Sequence, residues 1–164
     1  MITQKQLLDI FEYRNGELYW KKSRRTDKIG VRAGYVETSP TRKGYVCIGV
    51  KSKLYQEHRL IWQMFNGDNM PAMLDHINGN PTDNRIENLR FATHEQNMRN
   101  AKKSKNNTSG IKGVSWYKRD KKWQVKLCIS RKQLSFGLFK DKELAELVAI
   151  EARDKYHKEF ARHK

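Results

Sequence analysis

The segment that decides the fold reads Leu74-Asp75-His76-Ile77-Asn78-Gly79-Asn80, and Asp83-Asn84-Arg85-Ile86-Glu87-Asn88-Leu89-Arg90 follows it closely. Residues 73–93 are predicted to form two short strands around a polar loop, since asparagine and glycine separate the apolar positions. The next stretch, His94 to Lys103, is polar and predicted to be helical. We therefore expect a two-stranded ribbon followed by a helix.

This region contains the chemical groups that hydrolysis of a phosphodiester requires. The reaction needs a general base for water and a hard cation for the phosphate and the leaving oxygen. Asp75 offers a carboxylate and Asn97 a carbonyl oxygen, and both are hard oxygen ligands. His76 is adjacent to Asp75, and adjacent side chains of a strand point to opposite faces, so both serve one site only if the strand end is twisted or bulged.

Taken singly, these residues have ordinary explanations. An isolated Asp-His pair is more often a surface pair or a satisfied hydrogen-bonding pair than a metal site. Asparagines in such a loop commonly stabilise turns, and this applies to Asn78, Asn80, Asn84 and Asn88.

The motifs together, in their order, resemble the HNH endonuclease family, specifically its phage and intron-associated branch. They comprise His58-Arg59-Leu60, the two segments quoted above, and Asn97 on the following helix. The upstream Gly16-Glu17-Leu18-Tyr19-Trp20 is also typical of phage members. The resemblance covers roughly residues 10–100. It implies an α+β protein with a ββα-metal nuclease core, and a homing-type endonuclease that nicks or cuts duplex DNA.

The resemblance also implies a role for each matching residue. His76 corresponds to the general base that deprotonates the attacking water, and Asp75 and Asn97 correspond to the two protein ligands of a single divalent metal ion. Asn88 corresponds to the middle asparagine, which braces the loop and orients the histidine. Many HNH enzymes have a final metal-binding histidine where this chain has Asn97, which favours Mg²⁺, with Mn²⁺ as the alternative. His94, about one helical turn earlier, is the competing ligand.

Three arginines near these motifs are candidate contacts to DNA phosphates: Arg59, Arg85 and Arg90. For Arg59 and its neighbour His58, a structural helix start with His58 hydrogen-bonded near the core is an equally good interpretation. Arg85 and Arg90 can alternatively be solvated loop charges, and Arg90 is the stronger candidate of the two.

The C-terminal part has the alternating pattern of a half-buried sheet. It predicts strands at 111–118, 122–130 and 133–139, then a helix over 141–160 with Asp141 as its N-cap. The expected architecture is a small three-stranded antiparallel sheet packed on one helix. The polar face of the sheet, a candidate DNA-binding surface, would carry Ser115, Tyr117, Lys122, Gln124, Lys126, Gln133 and Ser135.

Three landmarks of this part, with its Ala-rich helix, resemble the Apetala-two (ethylene-response-factor) DNA-binding domain over about residues 109–161. The landmarks are Ser109-Gly-Ile-Lys-Gly-Val114, Lys122-Trp-Gln-Val125 and Phe136-Gly-Leu-Phe139. The resemblance implies a sheet that enters the DNA major groove, with Lys112 added to the contacts. The family's usual arginines after Gly-Val are replaced by Ser115, Trp116 and Tyr117, which leaves the target sequence open. The alternative is a solvated sheet face.

The charge of the chain supports a nucleic-acid partner. Lys and Arg number 34 against 18 Asp and Glu, for a formal net charge of +16, and a polyanion is the simplest partner for such an excess. Residues 101–164 hold 18 basic and 7 acidic side chains. This imbalance favours a nuclease domain at 1–101, a basic linker at 102–110 and a DNA-binding domain at 111–164.

Several protein classes are disfavoured by the sequence. No apolar run is long enough to span a bilayer, and the N-terminus lacks the apolar region of a signal peptide. Cys47 and Cys128 form no CxxC pair, which excludes a zinc ribbon and argues against a disulfide framework. The expectation is a cytoplasmic protein, in the host cytoplasm if phage-encoded, with two reduced and partly buried thiols. Its expected partner is double-stranded DNA, with no membrane, no obligate protein partner, and a monomer favoured over a dimer.

Two alternatives to an endonuclease remain. One is a non-catalytic, sequence-specific DNA-binding regulator that has kept the fold and lost the chemistry. The other is an RNA-binding protein, because basic charge alone does not separate RNA from DNA.

Overall fold

A computed structural model describes residues 2–23, 25–101, 103–104, 106–129 and 132–163 of the chain. The chain divides into two compact units, residues 1–92 and 93–164. This division assigns the helix after the ribbon to the second unit, whereas the sequence-based boundary at 101 keeps that helix with the nuclease. Lys102 and Lys105 of the predicted linker lie outside the described residues, and the three-part domain division remains a prediction.

The first unit begins with helix α1 (Gln4–Ile10), whose N-terminus is stabilised by a capping box between Thr3 and Gln6. The chain passes directly from the helix into strand β1 (Phe11–Arg14), which pairs antiparallel with β2 (Glu17–Trp20). The two residues between these strands, Asn15 and Gly16, have φ of 45° and 89°, the left-handed conformation that a tight hairpin requires. An asparagine followed by a glycine favours such a turn, because both residues adopt this conformation readily.

A three-stranded sheet and a helix follow in the first unit. Strands β3 (Tyr35–Val36), β4 (Val46–Val50) and β5 (Lys53–Gln56) lie in that order, with antiparallel pairing. Helix α2 (Glu57–Asn66) starts directly after β5 and ends at Gly67. The core of the unit is formed by side chains that are at most 1% exposed: Leu7, Phe11, Leu18, Ile48, Leu60 and Ile61.

Two short strands surround the polar loop, as the sequence predicted. Strand β6 (Leu74–His76) pairs antiparallel with β7 (Leu89–Phe91), and a single 3-10 turn (Ile86–Asn88) leads into β7. The first unit is thus a mixed structure of helices and small antiparallel sheets, in agreement with the predicted α+β class.

The second unit contains helix α3 (His94–Asn100), strands β8 (Val114–Tyr117), β9 (Lys122–Ile129) and β10 (Lys132–Phe139), and helix α4 (Lys142–His157). The strands form an antiparallel sheet in the order β10-β9-β8. Ser130, the predicted end of the middle strand, lies outside the described residues. The predicted N-cap is confirmed, since the Asp141 carboxylate accepts from the Glu143 N–H at 2.7 Å.

Helix α4 covers one face of this sheet. Its Ala145 and Ala149 are fully buried in a cluster with Val125 of β9. Small side chains let the helix axis come close to the sheet, and the wider rings of Trp123 and Phe136 pack at the margin of the cluster. The register of β10 shifts between Ser135 and Gly137, which is the irregularity of a β-bulge.

The burial of the two cysteines and the length of the helices can be compared with the expectations from the sequence. Cys47 is buried, but Cys128 is exposed, so the expectation of partial burial is wrong for both. Within the described part of the chain, every helix is too short or too polar to cross a bilayer.

Candidate active site

The ribbon of β6 and β7 carries Asp75 and His76, the two residues on which the predicted chemistry depends. Asp75 lies opposite Arg90 and His76 opposite Leu89. Both Asp75 and His76 are 5% exposed. Asp75 accepts hydrogen bonds from Arg90, whereas His76 contacts groups on the polar loop and on α2, so the two neighbours have different surroundings.

The His76 ring is held between aromatic rings and an amide. Its Nε2 lies 2.9 Å from Asn84 Oδ1. The His58 ring stands edge-on to it with centroids 5.0 Å apart, and the Tyr45 ring is 6.1 Å away. A ring confined in this way can present its other nitrogen in only a narrow range of directions.

Behind Asn84 lies a buried carboxylate. Asn84 Nδ2 donates to Glu57 Oε2 at 2.8 Å, and the Leu18 N–H donates to Glu57 Oε1 at 3.0 Å. Arg32 binds both carboxylate oxygens, with Nη1 2.7 Å from Oε1 and Nη2 2.8 Å from Oε2. Burial raises the pKa of Glu57, and Arg32 opposes that rise.

His58 is a buried, neutral residue that packs against His76. It is 5% exposed, and its Nδ1 has no hydrogen-bond partner among the residues that the structure describes. Burial, with smaller contributions from His76 and Arg59, lowers the pKa of His58 to about 3. Its ring is consequently neutral near pH 7. The site therefore favours the interpretation of His58 as a structural residue.

The polar loop is closed by its own asparagines. Asn88 Oδ1 accepts from the Asn78 N–H at 3.0 Å, and Asn88 Nδ2 donates to the Asp83 carbonyl at 2.7 Å. These bonds tie the two ends of the loop together. The side chain that directly contacts the His76 ring is that of Asn84, which the sequence interpretation treated as an ordinary loop residue.

The loop is also fixed from outside, by the first hairpin. Gly16 approaches the Arg85 backbone so closely that an added Cβ would lie 2.7 Å from the Arg85 nitrogen. The Tyr13 hydroxyl accepts from the Ile86 N–H at 3.3 Å. The hairpin of β1 and β2 thus sets the position of the residues that precede Asn88.

The three candidate phosphate contacts all have partners within the first unit. Arg90 Nε and Nη2 bind one oxygen of Asp75, and Arg85 binds both oxygens of Asp83 at 2.8 Å. Arg85 lowers the pKa of Asp83 to about 2. Arg59 donates to the Pro71 carbonyl at 3.1 Å. A phosphate contact by any of them would have to share or replace these bonds.

The remaining candidate metal ligands lie on α3, in the second unit. His94 is exposed and Asn97 is half-buried, and Thr93 caps the helix with Gln96. A carboxylate and an amide oxygen are the hard donors that Mg²⁺ accepts, so the chemistry of the proposed pair fits such an ion. Among the described residues, no group of three or more His, Cys, Asp or Glu side chains could hold a metal ion. The proposed pair of Asp75 and Asn97 has only two members, one of them an asparagine, so it is not a group of that kind.

The polar face of the second unit brings the predicted DNA-binding residues of the sheet together. Cross-strand pairs place Ser115 opposite Gln124, Tyr117 opposite Lys122, and Lys126 opposite Ser135. Gln133 lies opposite the exposed Cys128. Alternate residues of a strand share a face, so these side chains form one continuous surface.

Lys112 does not extend this surface. Its ammonium donates to the carbonyls of Arg99 at 2.7 Å and Ala101 at 2.6 Å, at the end of α3. Burial, aided by Arg153 and Arg162, lowers the pKa of Lys112 to about 8. The amine therefore caps a helix C-terminus, a structural task that competes with the predicted contact to DNA.

Several residues of the site were not singled out by the sequence interpretation, namely Arg32, Tyr45, Glu57 and Asn84. One signal was present: Glu57 directly precedes His58-Arg59, and Asn84 lies inside the quoted Asp83-Asn84-Arg85. For Arg32 and Tyr45 the sequence carries no comparable signal.

Comparison with known proteins identifies the family of the chain. Residues 55–99 match the HNH endonuclease family. Over 114 residues the chain is 37% identical to Protein 3.8 of Escherichia phage T7, an alignment that covers 67% of this chain and 91% of the relative. No solved structure matches the chain. The chain therefore belongs to the same family as Protein 3.8 of phage T7, with an HNH endonuclease domain at residues 55–99.

Proposed function

We propose that the protein is a metal-dependent DNA endonuclease in which His76 is the general base. The observation that carries the proposal is the setting of His76, which is buried against His58 with Nε2 at 2.9 Å from Asn84 and directly follows Asp75 in the chain. A base confined in one orientation suits proton transfer from a water molecule that attacks a phosphodiester.

The proposed roles follow the chemistry of the side chains. His76 takes the proton of the attacking water, and Asn88 maintains the loop around it. Asp75 and Asn97 would hold one divalent cation, Mg²⁺ in preference to Mn²⁺, and when bound this ion supplies positive charge for the phosphate and the leaving oxygen. A ββα-metal core would then form the nuclease.

We further propose that the second unit binds duplex DNA with the polar face of its sheet. The family match ends at residue 99, so the Apetala-two-like assignment depends on the sequence landmarks and on that face. The exposed or half-buried Ser115, Gln124, Lys126 and Gln133 suit contacts to base edges and phosphates. The enzyme is proposed to be a monomeric, homing-type nuclease that, if phage-encoded, acts on DNA in the host cytoplasm.

The test is incubation with supercoiled plasmid, with and without Mg²⁺, for the wild type and for His76→Ala. We expect Mg²⁺-dependent cleavage by the wild type and a loss on the order of 10²–10⁴-fold in the variant. Circular dichroism and binding to duplex DNA should match in the two proteins.

The alternatives give different results. A non-catalytic regulator would bind duplex DNA and cleave nothing under any metal condition. An RNA-binding protein would bind structured RNA more tightly than duplex DNA at every salt concentration. Cleavage by His76→Ala at the wild-type rate would remove His76 from the mechanism.

A further inference from the structure

The amide of Asn84 is held at both ends by different groups. Its Oδ1 lies 2.9 Å from His76 Nε2, and its Nδ2 donates to Glu57 Oε2 at 2.8 Å. Asn84 is 1% exposed and Glu57 is 0% exposed. Because bulk water cannot replace either contact, the amide must accept on one side and donate on the other.

Glu57 determines which way the amide points. The guanidinium of Arg32 donates to both oxygens of Glu57, and the Leu18 N–H donates to Oε1. These oxygens are therefore acceptors, and only the NH₂ end of Asn84 can bind one of them. The reversed amide would place two oxygens 2.8 Å apart.

The orientation of Asn84 in turn determines which ring nitrogen of His76 carries the proton. Since Asn84 Oδ1 can only accept, His76 Nε2 must donate. A neutral imidazole has one N–H, so its lone pair is then on Nδ1. The direction of every hydrogen bond from Arg32 to His76 follows from the single buried carboxylate of Glu57.

We propose that Glu57 and Asn84 are positioning residues that lock His76 in the Nε2–H tautomer and so reserve Nδ1 for the attacking water. The catalytic part of this inference rests on the proposed function, in which His76 is the general base. The tautomer is a separate property that can be measured without DNA or metal.

The tautomer has a large effect on a histidine base. In serine proteases, an Asp-to-Asn change that presents the catalytic histidine in the wrong tautomer lowers kcat about 10⁴-fold with the geometry intact. An effect of about 10²–10⁴-fold on the cleavage rate is therefore expected if the tautomer of His76 is inverted.

Glu57→Gln should invert it. At the Oε1 position, the new NH₂ group would meet two fixed donors, the Leu18 N–H and Arg32 Nη1. At the Oε2 position it would meet Arg32 Nη2 and the amide of Asn84, which can rotate. A rotated Asn84 accepts from the glutamine and donates to His76 Nε2, so the proton of His76 must move to Nδ1.

A second substitution should restore the original tautomer. In the double variant Glu57→Gln, Asn84→Asp, one carboxylate oxygen at position 84 accepts from the glutamine NH₂ and the other accepts from His76 Nε2–H. The net charge of the buried cluster equals that of the wild type. A merely structural role for Glu57 predicts no such return of the tautomer or of cleavage.

Glu17→Gln is the matched control. Glu17 is the other carboxylate beside Arg32, with an oxygen 3.4 Å from Nε, and it has no described bond to Asn84. The variant loses a carboxylate near the same guanidinium, so it should leave both the tautomer and the cleavage rate unchanged.

The measurement is two-dimensional ¹H–¹⁵N NMR of the histidine rings at a pH above the ordinary histidine pKa of about 6.5. Comparison with a His76→Gln spectrum identifies the His76 signals. We expect Nε2–H in the wild type, Nδ1–H in Glu57→Gln, and Nε2–H again in the double variant, with cleavage lost and regained in parallel.

Every other pattern overturns the proposal. Nδ1–H in the wild type or in the double variant does so, even if Glu57→Gln alone does not fold. Unchanged Nε2–H in a folded Glu57→Gln does so as well. If the tautomers follow the expected pattern and His76→Ala still cleaves, the hydrogen-bond chain is correct and the assignment of His76 as the base is wrong.

Discussion

Arg90 donates two hydrogen bonds, of 2.9 Å and 2.8 Å, to a single carboxylate oxygen of Asp75 on the neighbouring strand. The side chains are 15% and 5% exposed, so the guanidinium is the counter-charge of a nearly buried carboxylate. A divalent cation at Asp75 would bind beside this guanidinium and supply positive charge to the same carboxylate.

Arg90→Met should therefore destabilise the metal-free protein, and Mg²⁺ should recover part of the loss. Breaking a buried ion pair by removing one partner costs about 3–5 kcal/mol, and a ligand that binds only the folded state adds stability. Urea denaturation with EDTA and then with Mg²⁺ measures both effects. Arg85→Met is the control, because its pair with Asp83 is more exposed, at 44% and 16%, and should cost at most about 1 kcal/mol.

Asp75→Ala and Asn97→Ala should each raise the Mg²⁺ concentration needed for half-maximal cleavage. The reason is the loss of one of the two proposed oxygen ligands. A Mg²⁺ titration of the cleavage rate measures the shift, with His94→Ala, on the same helix, as the comparison. A shift in His94→Ala and none in Asn97→Ala would show that the wrong residue of α3 was assigned.

Acid should destabilise the wild type more steeply than His58→Phe. The pKa of His58 is about 3 in the folded protein, below its ordinary value of 6.5. As the pH falls, the unfolded chain binds the proton first, so stability present above about pH 6.5 is lost toward pH 3. The slope is at most about 1.4 kcal/mol per pH unit. Chemical denaturation between about pH 4 and pH 7 measures it; parallel curves for the two proteins would contradict the buried, neutral state of His58.

Two lysines of the second unit should differ in their contributions, one to DNA binding and the other to the stability of the fold. Lys126 lies on the polar face of the sheet, so Lys126→Ala should reduce the salt dependence of duplex binding by about one unit of slope. Lys112 caps α3 instead, so Lys112→Ala should lower the free energy of unfolding and leave that slope unchanged. Fluorescence anisotropy over a range of salt concentrations, with denaturation curves beside it, separates the two. The reverse assignment of effects would place Lys112 on the DNA.

Supercoiled plasmid should be converted to open circles before any linear product appears. One chain provides one His76 and one Asp75, and one such site hydrolyses one phosphodiester at each engagement. A time course on agarose gels at low enzyme concentration measures the order of products. Linear DNA without a preceding nick, from a protein that is a dimer by light scattering, would indicate paired active sites.

Local features of the fold follow from the sequence with little ambiguity. The capping box of Thr3 and Gln6, the Asn15-Gly16 turn and the cap at Asp141 depend on neighbours within a few residues. The alternation over 111–139 predicts both the strands and the two faces of the second sheet, because the side-chain period of a strand is two residues. Such rules need no knowledge of distant contacts.

The chain of hydrogen bonds from Arg32 to His76 could not be predicted from such local rules. Asn84 and Glu57 are 27 positions apart, and each has a common local explanation, as a loop asparagine or as an acid in the first turn of a helix. The same holds for Lys112 and the three arginines, whose partners are backbone carbonyls or carboxylates of the fold. A count of charges cannot distinguish a cation that meets DNA from one already bound within the protein.

The Asn78-Gly79 step of the loop bears on the chemical lifetime of the protein. An asparagine followed by glycine is prone to spontaneous deamidation, in which the glycine nitrogen attacks the asparagine side chain to close a succinimide ring. In the folded loop the Gly79 N–H donates to the His76 carbonyl at 2.8 Å, and Asn78 Nδ2 donates to Asp83 at 2.7 Å. Both reacting groups are held in other bonds, so the chain should age at Asn78 chiefly when the loop opens, and slow loss of activity on storage should follow the rate of that opening.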